Sequence, residues 1–236
     1  MVACGGSSDS PPGPLARHFD DMYIAAIPID QKQSVVQSQQ DYSVAKMEQA
    51  KAEADYNDAT TQLQIARNDA QAAHLNVSSA VSSKKSADAS GDQNRINDAI
   101  KNLHTAEDMA KAADARVRYI DTYRNFLHRY LRYTQENTYY REAQFEGAKA
   151  QLAKQNNIQP KGVSYDAFPG QTEERQHRTQ AAKERAEHDK QATLGKRDEW
   201  LKIQHQADIE AGKPSNFPDP MAPKVAGPEP AAASSM

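Results

Sequence analysis

Small and apolar side chains recur every three and four positions over residues 35–80: Val35, Ser38, Tyr42, Ala45, Gln49, Ala52, Tyr56, Ala59, Leu63, Ala66, Ala70, Ala73, Val77 and Ala80. This seven-residue period holds for about six heptads and draws one narrow seam along a long helix, as a coiled coil requires. Seven of the twelve seam positions from Tyr42 to Ala80 are alanine. Alanine lets a partner helix approach closely but buries little apolar area per turn, so such a helix needs length and a partner. A second seam of the same period follows: Ile96, Ala99, Leu103, Ala106, Ala110, Ala113, Val117, Ile120, Arg124, Leu127, Leu131 and Thr134. Between the two lies Ala87-Asp88-Ala89-Ser90-Gly91-Asp92, a turn by composition, in which Ser90 or Asp92 can cap the second helix. Two such seams joined by a short turn predict an antiparallel helical hairpin over 30–157. With the tip near Ala89, Leu63 faces about Ala115. Asp30 and Gln33 have capping-box spacing, which makes Asp30 the expected start of the first helix.

Proline marks out the rest. The twelve prolines stand at 11, 12, 14, 28, 160, 169, 214, 218, 220, 223, 228 and 230, and none falls in 29–159 or 170–213. Proline breaks helix interiors, so long helices fit only those two gaps. Residues 1–17, rich in Gly, Ser and Pro, read as a flexible tether. Residues 18–29 form an apolar segment expected to pack along the coil. Residues 158–171 read as a loop. A third helix is expected over 172–211, beginning at Thr172 with Glu173 and Glu174 favouring its dipole. Residues 212–236 read as a disordered Pro/Ala-rich tail. The fold class expected is all-α: a long antiparallel coiled-coil hairpin with a third helix packing at its open end, and disordered termini.

A second stripe on the second helix calls for that third helix. Tyr119, Tyr123, Phe126, Tyr130, Tyr133 and Tyr140 share an arc roughly 120° away from the seam by the helical period. One hairpin partner cannot cover both faces, and a bare aromatic row drives association. The third helix carries Trp200, Ile203 and Ala207 on one face, and the loop before it can reverse the chain. A local three-helix bundle with Trp200 at the level of Tyr119 and Tyr123 is expected, with the alanine-rich tip left two-stranded. The same seven residues, Trp200 and the six of the row, are the candidate partner-binding residues, for a protein partner or further copies of the chain.

Composition narrows the function. Hydrophobic residues make up 38% and mean hydropathy is −0.89, low for a chain filling a compact core and suited to an elongated helical one. The formal net charge of −3 gives no reason to expect a nucleic-acid partner. Arginines at 116, 118, 124, 129 and 132 interleave with the aromatics, but the helical period scatters them over several faces. Arg124 falls on the seam, where an acidic partner or a carbonyl is expected. His74 and His104 are expected side by side near the tip, as solvated residues and not as a metal site. The sequence carries no glycine-rich phosphate loop, no Gly-x-Ser-x-Gly and no Cys/His cluster of zinc type. No enzyme activity, cofactor or metal is expected.

The only cysteine is Cys4, in Val2-Ala3-Cys4-Gly5 ahead of a Ser/Gly/Pro tether. This resembles the lipobox of bacterial lipoproteins, over about five residues and without the basic and apolar regions of a leader before it. The resemblance implies acylation of Cys4 and membrane attachment through the N-terminal lipid. Gly5 resembles the outer-membrane sorting class, which implies the periplasmic face of the outer membrane. The function expected is a non-enzymatic cell-envelope lipoprotein with an extended coiled-coil rod in a structural or protein-binding role. The alternative is a soluble, cytoplasmic helical adaptor or holdase-type chaperone.

Overall fold

The computed structural model describes residues 11–222. Three long helices account for most of them: α1 (Gln33–Ser90), α2 (Gln93–Gln155) and α3 (Ala167–Ala211). At 1.5 Å per residue, α1 and α2 are about 87 Å and 95 Å long. α1 and α3 each pack extensively on α2, which is therefore the central helix.

The seams are where the heptads place them. Every α1 seam residue from Val35 to Ala80 and every α2 seam residue from Ile96 to Thr134 is buried or half-buried. Leu63, Ala66, Ala115 and Ile120 meet in one cluster. The hairpin turns on two residues. Gly91 caps α1 in the left-handed conformation, with φ 67°, and its amide donates to the Asp88 carbonyl. The Asp92 carboxylate then accepts from the amides of Asn94 and Arg95 and starts α2. Facing pairs centre on Gly91 and Asp92, a little beyond the Ala89 tip expected from sequence. The register shifts accordingly. His74 meets Asp114 at 3.0 Å and His104 faces Glu107 of its own helix at 3.8 Å, so the two histidines are not brought together.

α2 is wrapped on two sides. Over residues 110–150 its only exposed positions are Lys111, Arg118 and Asn125, seven apart, a single outward stripe. α3 runs back antiparallel along α2: the Thr172 hydroxyl donates to the Ala143 carbonyl, Thr193 to the Thr122 carbonyl, and Trp200 lies on Tyr119. The buried residues of α3 include Phe168, Arg175, Thr179, Ala186, Thr193, Trp200, Gln204 and Ala207, again on a seven-residue stripe.

Several boundaries differ from those expected. Residues 29–32 form a 3-10 turn and α1 begins at Gln33 with no side-chain cap, so Asp30 does not close a capping box. α3 begins at Ala167 and not at Thr172, taking in Pro169. Proline costs nothing within the first helical turn, where its missing N–H has no helical acceptor. The described part of the expected 1–17 tether is docked: Leu15 is buried, and the Arg175 guanidinium donates to the carbonyls of Gly13 and Pro14, while residues 1–10 lie outside the described residues. The first part of the expected 212–236 tail is structured, and its remainder, 223–236, lies outside the described residues. Residues 213–222 fold back over α2 and α3, with Phe217 and Met221 against the mid-rod cluster.

Residues 18–29 pack at the open end as expected. Phe19, Ile24 and Ile27 join Val35, Ala150, Leu152, Ala153 and Phe168 in a basal core. A buried ion pair fixes this segment. Lys149 Nζ lies 2.9 Å from Glu146 Oε1 and 2.9 Å from Asp21 Oδ1, and Glu146 Oε2 accepts from the Phe19 amide.

Candidate functional site

The aromatic row divides into three parts. At its tipward end Tyr119 is fully buried and stacks on Trp200, with ring centroids 5.3 Å apart and planes 14° from parallel. Its hydroxyl donates to Asp219 Oδ1 at 2.6 Å. Burial, reinforced by this carboxylate, pushes the phenol far above its ordinary range. Asp219 also takes Arg197 Nε at 2.6 Å and the Met221 amide at 3.0 Å. The strap of residues 213–222 thus closes over Tyr119, and neither Tyr119 nor Trp200 is available to a partner.

The middle of the row is half-buried. Tyr123, Phe126, Tyr130 and Tyr133 follow one another along α2 with centroid spacings of 6.4, 6.1 and 5.8 Å and tilted planes. Such tilted contacts suit the ring quadrupoles. Carboxylates of both neighbouring helices flank this ladder. Burial first, then Asp55, Asp219 and Asp58, raises the Tyr123 phenol. Burial first, then Glu48, Tyr133, Asp55 and Glu187, raises that of Tyr130. The ladder therefore runs between α1, which supplies Glu48, Asp55 and Asp58, and α3, which supplies Glu187. It presents aromatic surface and acceptors together, a face suited to a basic or N–H-rich partner.

Tyr140 stands apart. Its hydroxyl accepts from Gln144 Nε2 at 2.8 Å and the Arg141 guanidinium lies 5.4 Å from its ring. Cys4 lies outside the described residues. Arg124 reaches no carboxylate and no backbone carbonyl: Nη2 donates to the Tyr56 hydroxyl at 2.8 Å, Nε to Thr60 Oγ1 at 3.4 Å and Nη1 to the amide oxygen of its neighbour Asn125 at 3.4 Å. The guanidinium also lies 5.3 Å from the Tyr56 ring, so neutral oxygens and a π face take the place of an acid. Arg116 has the acid that Arg124 lacks. Its Nη1 meets Asp69 Oδ2 at 2.6 Å, and the Phe217 ring covers its guanidinium at 4.3 Å.

Sequence reading missed Asp219, Arg197 and Phe217, because the strap carries no periodicity and reads as tail. It also missed that arginines of α2 and α3 line one cavity. Among the described residues no group of three or more His, Cys, Asp or Glu is placed to hold a metal ion. No described helix is long and apolar enough to cross a membrane. No protein family, curated protein or solved structure matches the chain.

Proposed function

We propose that the chain is a non-enzymatic bacterial cell-envelope lipoprotein, anchored by acyl chains on Cys4 at the periplasmic face of the outer membrane and projecting a helical rod that binds a protein. The observation that supports this most is where the N-terminal segment docks. Residues 11–14 lie against α2 and α3 near Arg132, Glu136 and Arg175, toward the open end of the hairpin. Cys4 stands seven positions before Pro11, a reach of at most about 25 Å. The hairpin tip at Gly91 is forty-five residues of α2 away from Glu136, about 68 Å. An anchor at Cys4 therefore holds the basal half of the rod and leaves the two-stranded tip at a distance. The half-buried ladder of Tyr123, Phe126, Tyr130 and Tyr133 is the surface assigned to the partner.

Expressed from its own gene in its own host, the protein is expected to carry acyl chains on Cys4 and to partition into detergent. One chain gives only marginal membrane binding, so stable anchoring takes more than one. Intact mass and phase partitioning of the wild type and of Cys4→Ser decide the matter. Equal recovery of both in the aqueous phase, at unmodified mass, would end this reading in favour of a soluble helical adaptor that uses the same aromatic ladder.

A further inference from the structure

Four arginines that no sequence window brings together line one cavity. Arg129 and Arg132 come from α2, Arg178 and Arg185 from α3, and Pro11, Pro12 and Gly13 close one side; the volume is about 340 Å³. That lies at the lower end of small-ligand cavities, about 300 Å³ and upward. Spacing explains the convergence. Arg129 and Arg132 are three apart, and Arg178 and Arg185 seven apart, so each pair shares a helix face, and the antiparallel packing of α2 and α3 turns the two faces together.

Two of the four arginines have no carboxylate partner among the described residues. Arg129 pairs with Asp189 at 3.4 Å and Arg178 with Glu174. Glu136, the one acidic residue of the lining, is held by Arg175 at 3.5 Å; both side chains are largely buried, so the repulsion Glu136 would exert on an anion is offset. Arg132 donates from Nη1 to Gln135, and its Nε is buried with no hydrogen-bond partner among the described residues. No hydrogen bond or ion pair joins Arg185 to a described residue. Arg132 and Arg185, one from each helix, thus line the cavity without a carboxylate partner among the described residues, on a chain whose net charge is −3. A buried donor left without an acceptor costs free energy that an anionic oxygen relieves.

We propose that this cavity binds a phosphate group, carried either by a membrane lipid headgroup or by a soluble phosphate compound. A phosphate offers several charged oxygens to guanidinium forks arriving from two helices, a fit that lysines or a single helix would not give. The proposal is independent of acylation at Cys4, and its test uses the full chain carrying Cys4→Ser so that acyl chains contribute nothing.

The test has two arms: calorimetric titration with inorganic phosphate and pyrophosphate, and flotation with phosphatidylglycerol-containing vesicles against phosphatidylcholine alone. Binding in either arm is expected, weakening roughly tenfold or more in Arg132→Gln/Arg185→Gln and on raising salt. Capture by anionic vesicles without affinity for the free ions identifies a lipid headgroup; affinity for the free ions without flotation identifies a soluble phosphate compound. Lys51→Gln/Lys101→Gln removes the same charge from exposed positions elsewhere and is expected to bind as the parent does. Circular dichroism confirms that each variant is folded, and Arg132→Lys/Arg185→Lys, which keeps charge but loses the forks, covers a misfolded glutamine variant. It is expected to bind more weakly than the parent. No binding in either arm, or equal loss in the Lys51/Lys101 variant, would overturn the proposal.

Discussion

The Tyr119 ring lies flat against the Trp200 indole, centroids 5.3 Å apart, and both side chains are almost wholly withdrawn from solvent. This contact joins α3 to α2 at the point where Leu63 of α1 also arrives. Trp200 emission is therefore expected to be blue-shifted and poorly quenched by iodide. Trp200→Ala should cost about 3–5 kcal/mol in urea unfolding. Trp200→Phe should cost far less, under about 1.5 kcal/mol, because the indole N–H has no acceptor among the described residues and its removal relieves that deficit. Equal losses in the two variants would show that the stacked indole, not its apolar volume, holds the helices together.

The same contact makes stability sensitive to alkali. Tyr119 is raised above its unfolded value by burial and by Asp219. Its contribution is fully present below the unfolded pKa of about 10 and is lost as pH rises from there toward the folded value, because only the unfolded chain releases the proton. Above pH 10 the unfolding free energy should fall by about 1.4 kcal/mol per pH unit for this one group, with Tyr123 and Tyr130 adding in the same direction. Tyr119→Phe should flatten the slope by one proton. An unchanged slope would place the alkaline sensitivity elsewhere.

The hairpin was legible because its seams are small and apolar and their period never slips. The turn was legible because Gly91 and Asp92 are the residues a left-handed cap and an N-cap need. α3 was only half legible. Its inner stripe has the same seven-residue period as the seams, but Arg175, Thr179, Thr193 and Gln204 occupy half of it, so the apolar members, Phe168, Ala186, Trp200 and Ala207, are too widely spaced to draw a seam. Their partners are a fact of tertiary context and of the helix itself: Thr193 donates to the Thr122 carbonyl of α2, Arg175 meets Glu136 and the carbonyls of Gly13 and Pro14, Thr179 donates to the Arg175 carbonyl one turn back, and Gln204 donates to Asp208 and to Ser215 of the strap. The aromatic row was legible as a stripe. Which of its members remain open was not, since the strap that hides Tyr119 follows a proline-rich composition that reads as tail.

The buried pair of Glu146 and Lys149 secures the basal core. Glu146 serves Lys149 and the Phe19 amide at once, and Lys149 reaches on to Asp21. Glu146→Ala leaves the buried Lys149 ammonium with only the exposed Asp21 carboxylate, deprives the Phe19 amide of its acceptor, and should cost about 3 kcal/mol. It should also free residues 11–29, read as faster limited proteolysis before Gln33. Glu146→Ala/Lys149→Met, which removes both charges and leaves the Phe19 amide without its acceptor, should recover much of that stability. A double variant no better than the single one would show that the Phe19 amide, and not the charge pair, is the anchor.

Gly91 separates conformational strain from packing. A Cβ added there meets nothing within 4 Å, yet φ is +67°. Gly91→Ala should therefore cost about 1–2 kcal/mol purely from the left-handed backbone, and Gly91→Asn less, since asparagine tolerates that region. Equal stability of all three would mean that the α1 cap does not persist in solution.

The strap makes the strongest claim about the C-terminal part of the chain, because composition alone reads it as structureless. Its hold is polar and specific. Asp219 receives the Tyr119 hydroxyl, the Arg197 guanidinium and the Met221 amide; Ser215 donates to Asp208 from its amide and its hydroxyl; Phe217 covers Arg116. Burial alone would raise the Asp208 pKa, but the Ser215 and Gln204 hydrogen bonds outweigh it and hold the carboxyl below the usual range. Asp219→Ala should therefore leave the Tyr119 hydroxyl and Arg197 short of an acceptor and cost about 2–3 kcal/mol. Asp219→Asn, which can still accept from Tyr119 but lacks the charge for Arg197, should cost roughly half as much. In Asp219→Ala, hydrogen exchange should quicken in residues 213–222 and iodide should reach Trp200 more readily, while helix content stays constant. If stability, exchange and quenching all match the parent, the strap does not cover Tyr119 in solution, and the mid-rod aromatic face begins at Tyr119 instead of Tyr123.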